Sequence, residues 1–185
     1  MNVYDFDKTI YNGDSTLDFY FFCIKKKPLI LKKLPKQLYS AIKYKMKIIT
    51  KTEFKENFYS FLQVLDNVDD LLEEFWNMNK SKIKDFYLKQ KSKNDVIISA
   101  SPNFLLDPIC KQLGIKYLIA SQVDKHTGKY TGINCYGEEK VRRFNELFPN
   151  LQIDNFYSDS LADTPIAKCA KQAFLVKNNE LQKWN

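Results

Sequence analysis

The sequence predicts a doubly wound α/β fold, a mostly parallel sheet with helices on both faces, carrying an inserted all-helical cap and a β-hairpin arm. Strand-like and helix-like segments alternate through residues 93–185, the signature of parallel strands joined by crossovers. Residues 14–92 contain no glycine, only Pro28 and Pro35, and a helical period throughout. Val123 to Cys135, with Gly128 and Gly132, reads as a hairpin rather than a crossover. Residues 1–13 and 93–185 thus form the core and 14–92 the cap.

The core opens on the short apolar strand Val3-Tyr4, which leads into Asp5-Phe6-Asp7-Lys8-Thr9. In the cap, Asp14-Ser15-Thr16 stands before Leu17 as a helix N-cap signal, and Thr50-x-x-Glu53 is a capping box ahead of Phe54, Phe58, Phe61 and Leu62. Leu71, Leu72, Phe75, Trp76 and Ile83 mark another helical face, read as core packing. The core resumes with a β-branched strand, Val96 to Ser99, and a helix from Pro102 to Leu113 with its proline in the first turn. A strand at Tyr117 to Ala120 follows. Next comes an amphipathic helix, Glu138 to Phe148, with Val141, Phe144, Leu147 and Phe148 at helical spacing. Asn155 to Ser158 (strand), Asp163 to Ala170 (helix) and Ala173 to Val176 (strand) complete the alternation. In such sheets ligands sit at the carboxyl ends of the strands.

Those ends collect the chemistry. Asp5 and Asp7, at i and i+2 on an extended chain, point to one side, so one carboxylate can attack while the other shuttles a proton. A carboxylate nucleophile facing an anionic phosphate needs a divalent cation to screen its charge. Ser99 ends its strand before a helix N-terminus, where a hydroxyl and free N–H groups make a phosphate cradle; the alternative is an N-cap serine closing a buried strand. Lys140 falls in the first turn of its helix, where the dipole disfavours a cation, which a bound anion explains better than a solvated face does. Asp159 and Asp163, four residues apart after the Asn155–Ser158 strand, can face one hard-cation site.

These four segments, in this order, resemble the motifs of the haloacid dehalogenase superfamily of phosphatases, over the whole chain. Ser99-Ala100-Ser101-Pro102, Gly137-x-x-Lys140-Val141 and Ser158-Asp159-Ser160-x-x-Asp163 are similar to its phosphoserine-phosphatase-like branch. Within that branch, the opening and the closing Val176-Lys177-Asn178-Asn179-Glu180-Leu181 look most like C-type phosphatidylglycerophosphate phosphatases. The resemblance implies a Rossmann-like core and an aspartyl-phosphate mechanism. Asp5 would be the nucleophile and Asp7 the general acid and base. Ser99, with Ala100 beside it, and Lys140 would hold the phosphoryl group, and Thr9 would steady the loop against it. Mg2+ would be held by Asp5, Asp7 and Asp159, with Asp163 joining directly or through water and Lys140. Asp14 matches the position of an acid that receives a substrate ammonium in phosphoserine phosphatases, or else it caps the first cap helix. The only arginines are Arg142 and Arg143, so the cap arginine that grips a serine carboxylate in that branch is missing, and a lysine cannot supply its bidentate fork.

Composition fits a folded enzyme. The 185 residues are 44% hydrophobic and 15% aromatic, which argues against disorder. No charged-then-apolar leader precedes Asp5 and no apolar run reaches the ~18 residues of a spanning helix, so the expected location is cytoplasmic or peripheral on a membrane. Cys23, Cys110, Cys135 and Cys169 are scattered without a CxxC, and the single histidine, His126, reads as a surface bystander. The net charge of +7 is local: between Asp18 and Glu53 there is no acid but ten lysines, leaving the remainder at −3. Apolar residues from Leu29 to Ile49 interleave with those lysines, which fits either a basic helix at an anionic membrane or a solvated cap face. The expected activity is hydrolysis of a small phosphorylated metabolite. The alternatives are a phosphatase of a lipid or headgroup phosphate, and a non-catalytic polybasic module binding membrane or nucleic acid. Few stacking aromatics beyond Tyr39 and Tyr44 accompany the lysines, so nucleic acid is not the expected partner.

Overall fold

The structure, a computed structural model, describes residues 1–177 and 180–184. Asn178 and Asn179, part of the closing resemblance, lie outside the described residues. In chain order the elements are β1 (Asn2–Tyr4), α1 (Ser15–Lys26), α2 (Leu34–Lys45), α3 (Lys51–Tyr59), α4 (Val68–Asn79), α5 (Asp85–Gln90), β2 (Val96–Pro102), α6 (Asn103–Gln112), β3 (Tyr117–Ser121), α7 (Glu138–Leu147), β4 (Ile153–Ser158), α8 (Thr164–Ala167), β5 (Ala170–Lys177) and β6 (Glu180–Lys183). The six strands form one sheet in the order β3-β2-β1-β4-β5-β6, parallel except for the antiparallel edge strand β6. Because β1 pairs with β2 on one side and β4 on the other, the order reverses at β1. A crevice therefore opens at its carboxyl end, where Asp5 follows.

Several elements differ in detail from the sequence expectation. The hairpin arm is reduced to a single antiparallel bridge, Val123 with Tyr130, around a turn closed by Gly128 N–H to Asp124 O. Gly128 lies at φ +72°, and a Cβ there would come within 2.6 Å of the Tyr59 carbonyl, so the turn packs backbone to backbone against the end of α3. Ile83 lies beyond α4 in extended conformation, bridged to Tyr11, rather than on a helical face. β2 continues past Ser99 because Pro102 pairs with Ser121 after a register shift, which leaves Pro102 at the N-cap of α6 instead of inside its first turn. The helix expected over 163–170 is confined to four residues, since Ala170 is already paired with Ile153 in the sheet.

The elements of 14–92 do not form a core of their own. Trp76 of α4 packs against the rings of Phe6 and Tyr11 at 5.9 and 5.5 Å and donates from Nε1 to the Leu105 carbonyl of α6 at 2.7 Å. Tyr87 of α5 meets Tyr4 of β1 edge to face. One buried apolar cluster runs from the sheet through these rings to Phe19, Phe61 and Phe75. This continuity packs α4 and α5 against the first loop, α6 and β1.

Candidate active site

Past β1, the Asp5 N–H donates to Tyr157 O at 2.9 Å and keeps the chain on β4 for one more residue. The chain then turns sharply: Lys8 adopts φ +57°, and the N–H groups of Ile10 and Tyr11 both donate to Phe6 O. This bend aims Asp5 and Asp7 into a cavity of about 200 Å³ that also receives Asp14, Ser99, Lys140, Asp159 and Asp163 from four other segments.

Lys140 is the electrostatic centre. It is 2% exposed, and its ammonium donates to Asp5 Oδ1 at 2.7 Å and Asp163 Oδ2 at 2.8 Å. Ser158 Oγ donates to the same Asp163 oxygen at 2.7 Å. Burial would push the ammonium pKa down, but the two carboxylates outweigh it and hold Lys140 above the ordinary lysine value. Burial likewise pushes Asp5 up, against the pull of Lys140; with the ammonium in direct contact, the ionised pair is the state the geometry supports. The charge that the α7 dipole disfavours in a first turn is thus balanced by two acids from the loops after β1 and β4.

Asp7 is held differently. Its carboxylate accepts from Ser15 N–H at the start of α1 at 2.6 Å and from the Ser101 hydroxyl. Burial, then Asp14, raise its pKa, and these hydrogen bonds only partly oppose them, so Asp7 takes up a proton more readily than a free aspartate. Asp14 lines the cavity, but its carboxylate accepts from Leu17 N–H at 3.0 Å, the geometry of the N-cap alternative. Ser99 is buried with its Oγ accepting from Ser101 N–H at 3.1 Å. The Ala100 carbonyl beside it is taken by Lys55 Nζ and Ser121 Oγ. Thr9 is fully buried behind the cavity wall: its Oγ1 accepts from Asp159 N–H at 2.9 Å and lies 3.4 Å from Asp5 Oδ2, tying the first loop to the fourth.

For a cation, two sets of oxygens remain open. Asp5 Oδ2 has only the long Thr9 contact, and among the described residues nothing donates to the Asp159 carboxylate. Burial raises Asp159, with Lys8 opposing and Asp163 adding to the rise. No cluster of three or more acids, cysteines or histidines closes into a preformed cage among the described residues. Asp163 is committed to Lys140 and Ser158.

Sequence reasoning missed Lys51, Lys55, Ser101 and Tyr136, all of which line the cavity. Ser101 was discoverable, standing two residues from Ser99 on an extended chain and so facing the same way. Lys51, inside the capping box, is one of the ten lysines of the acid-free window, and Lys55, one helical turn on, lies just beyond that window, so the pair carries no separate signal.

The model of the haloacid dehalogenase-like hydrolase family matches residues 3–168 of this chain. A probable phosphatase of Mycobacterium tuberculosis is 34% identical over 88 residues, spanning 44% of this chain and 31% of that protein. This chain thus covers well under two thirds of that relative. A crystal structure of a Bordetella pertussis Tohama I protein of unknown function shares the fold with TM-score 0.73 at 20% identity, over 95% of this chain and 88% of that one. A phosphoserine phosphohydrolase-like protein from Francisella tularensis also shares it, with TM-score 0.59 at 16% identity over 97% and 88%.

Proposed function

Since the chain belongs to the haloacid dehalogenase-like hydrolase family, we propose that it is a magnesium-dependent phosphomonoester hydrolase working through an aspartyl-phosphate on a small phosphorylated metabolite. The observation that carries this reading is the buried Asp5–Lys140–Asp163 cluster with Asp7 and Ser99 in the same cavity. Asp5 attacks the phosphorus, the ester P–O bond breaks, and the departing alkoxide takes a proton from Asp7, whose raised pKa suits an acid. Asp7 then accepts a proton from water as that water attacks phosphorus and frees Asp5. Ser99 and the Ala100 backbone orient the phosphoryl oxygens, and Lys140 keeps Asp5 ionised and aimed while offsetting the phosphate charge. The open Asp5 oxygen, Asp159 and the Asp7 backbone would hold Mg2+, which supplies charge screening for the anionic substrate. Asp163 acts through Lys140 rather than as a ligand. A screen of phosphomonoesters, soluble and lipid-linked, with magnesium and then with EDTA, tests the reading. Turnover that disappears in EDTA supports it; undiminished turnover in EDTA removes the metal from it.

A second reading is favoured by one region. In α2 the buried residues are Gln37 and Ser40, while Leu38, Tyr39 and Ile42 are exposed, followed by Met46 and Ile48. The preceding 28–33 segment adds exposed Leu29 and Leu31, and lysines surround them all. Such a surface suits docking on an anionic bilayer, with the phosphate of a lipid headgroup as substrate. No helix among the described residues is long and apolar enough to cross a membrane. Each lysine near such a surface contributes about 1 kcal/mol at best, giving reversible binding. Co-sedimentation with anionic but not zwitterionic vesicles, weakening as salt rises, is the expected result; protein left in the supernatant at low salt removes this reading.

A further inference from the structure

The cavity holds a cationic pair that the chemistry above does not use. Lys51 and Lys55 stand at i and i+4 of α3, the spacing that places both on one face, and both line the cavity. Lys55 Nζ is anchored to neutral oxygens, Ala100 O at 2.8 Å and Asn134 Oδ1 at 3.3 Å. Lys51 Nζ rests 3.4 Å from the centroid of the Tyr136 ring. Whereas Lys140 meets two carboxylates, neither of these lysines forms an ion pair with one among the described residues. The acids nearby have other partners. Glu53, the acid of the first turn of α3, is folded back onto Thr50, Asp14 caps α1, and Asp7 is bonded to Ser15 and Ser101.

Two ammonium groups held partly buried, one turn apart and without an ion-paired carboxylate, are unfavourable until an anion arrives, since Asp7, Asp14 and Asp163 act on them only from a distance. Burial, then Lys51, pushes Lys55 down to about 8, and burial lowers Lys51 as well. The first anion of a substrate is already provided for by Ser99 and Lys140. We infer that Lys51 and Lys55 form a subsite for a second anionic group, so that the substrate is a phosphomonoester bearing a carboxylate or a phosphodiester beyond its ester oxygen. This rests on the phosphomonoesterase reading for the position of the first anion. Lysines, unlike arginine's planar fork, accept either geometry, and both a soluble metabolite and a lipid headgroup could present such a group.

The test uses inert phosphonates, so that binding is read whether or not the protein turns over. Calorimetric affinities are measured with magnesium present for n-alkylphosphonates of increasing length and for counterparts of equal length ending in a carboxylate or a methyl phosphodiester. At the right length, an anionic end is expected to tighten binding about tenfold, the scale of a charged hydrogen bond; the end group with the larger gain identifies the source. In Lys51→Gln/Lys55→Gln that gain should fall below about twofold while the n-alkylphosphonates lose less than about threefold. Lys51→Gln alone, at a less buried position, carries the test if the double variant does not fold, and should lose at least half of the gain in free energy. The inference is overturned if no anionic end improves binding in the natural sequence, or if the gain survives the substitutions. Were the gain present and lysine-dependent in a protein that hydrolyses no phosphomonoester, the subsite would stand and the hydrolase reading would fall.

Discussion

α2 and α4 are both twelve residues long and both amphipathic, yet they present opposite faces to the protein. α4 buries Val68, Leu72, Phe75 and Trp76, with Phe75 against Phe19 and Phe22 of α1 and Trp76 against the first loop and α6, and exposes its acids. α2 turns Gln37 inward, where its Oε1 accepts from the Tyr20 hydroxyl at 2.7 Å and its Nε2 donates to Phe58 O at 2.8 Å, and leaves its leucine, tyrosine and isoleucine outside. The contrast teaches that helical period reports only that a helix has two faces. Which face is covered depends on what neighbouring elements offer, and here the neighbours of α2 offer a hydroxyl and a carbonyl.

Substitutions can break or sharpen this contrast. The largest effect belongs to neither helix but to the buried charge of the cavity. Lys140→Met leaves Asp5 and Asp163 buried and unpaired, so it should abolish turnover and cost about 3–5 kcal/mol in denaturant unfolding. Within α4, Trp76→Ala empties a fully buried site and removes the hydrogen bond to the Leu105 carbonyl, for a loss of about 3–5 kcal/mol. In α2, Gln37→Leu makes the helix more apolar but removes both buried hydrogen bonds, and should destabilise by about 1–3 kcal/mol; a stabilised variant would show that the inner face of α2 is not set by those bonds. Ile42→Ala and Met46→Ala, at positions 58% and 64% exposed, should change stability by no more than about 0.5 kcal/mol. The same pair should weaken anionic-vesicle binding if the outer face docks, and loss of stability without change in vesicle binding would mean that the face is covered from within.

The sheet and the candidate site were legible in the sequence to very different depths. The β2, β3, β4 and β5 segments announced themselves because apolar runs between turn signals have few other uses, and Asp5, Asp7, Ser99, Lys140 and Asp159 because each stands where a strand or helix ends. Less was legible where long-range pairing decides. Ala170 looked helical until its partner Ile153 was known, and Ile83 fitted a helical face although it pairs with Tyr11. The inward placement of Gln37 depends on Tyr20 and Phe58, 17 and 21 residues away in the chain, and no local pattern encodes it. The entry of Lys51 and Lys55 into the cavity depends on how α3 meets the 134–136 segment, whose Asn134 is fixed by Ser121 at 3.1 Å. Thr9 was expected beside the phosphate, and its place behind Asp159 follows from a turn whose left-handed residue, Lys8, is not a glycine and so gave no signal.

The central claim is that Asp5, held by Lys140, becomes covalently phosphorylated during turnover. Acid quenching of the protein during hydrolysis of a phosphomonoester labelled in its phosphoryl group, followed by peptide mapping, addresses it directly. The account predicts an acid-stable, base-labile label on the peptide containing Asp5, lost in Asp5→Asn together with turnover. Steady turnover with no label on that peptide, or activity retained in Asp5→Asn, would contradict it.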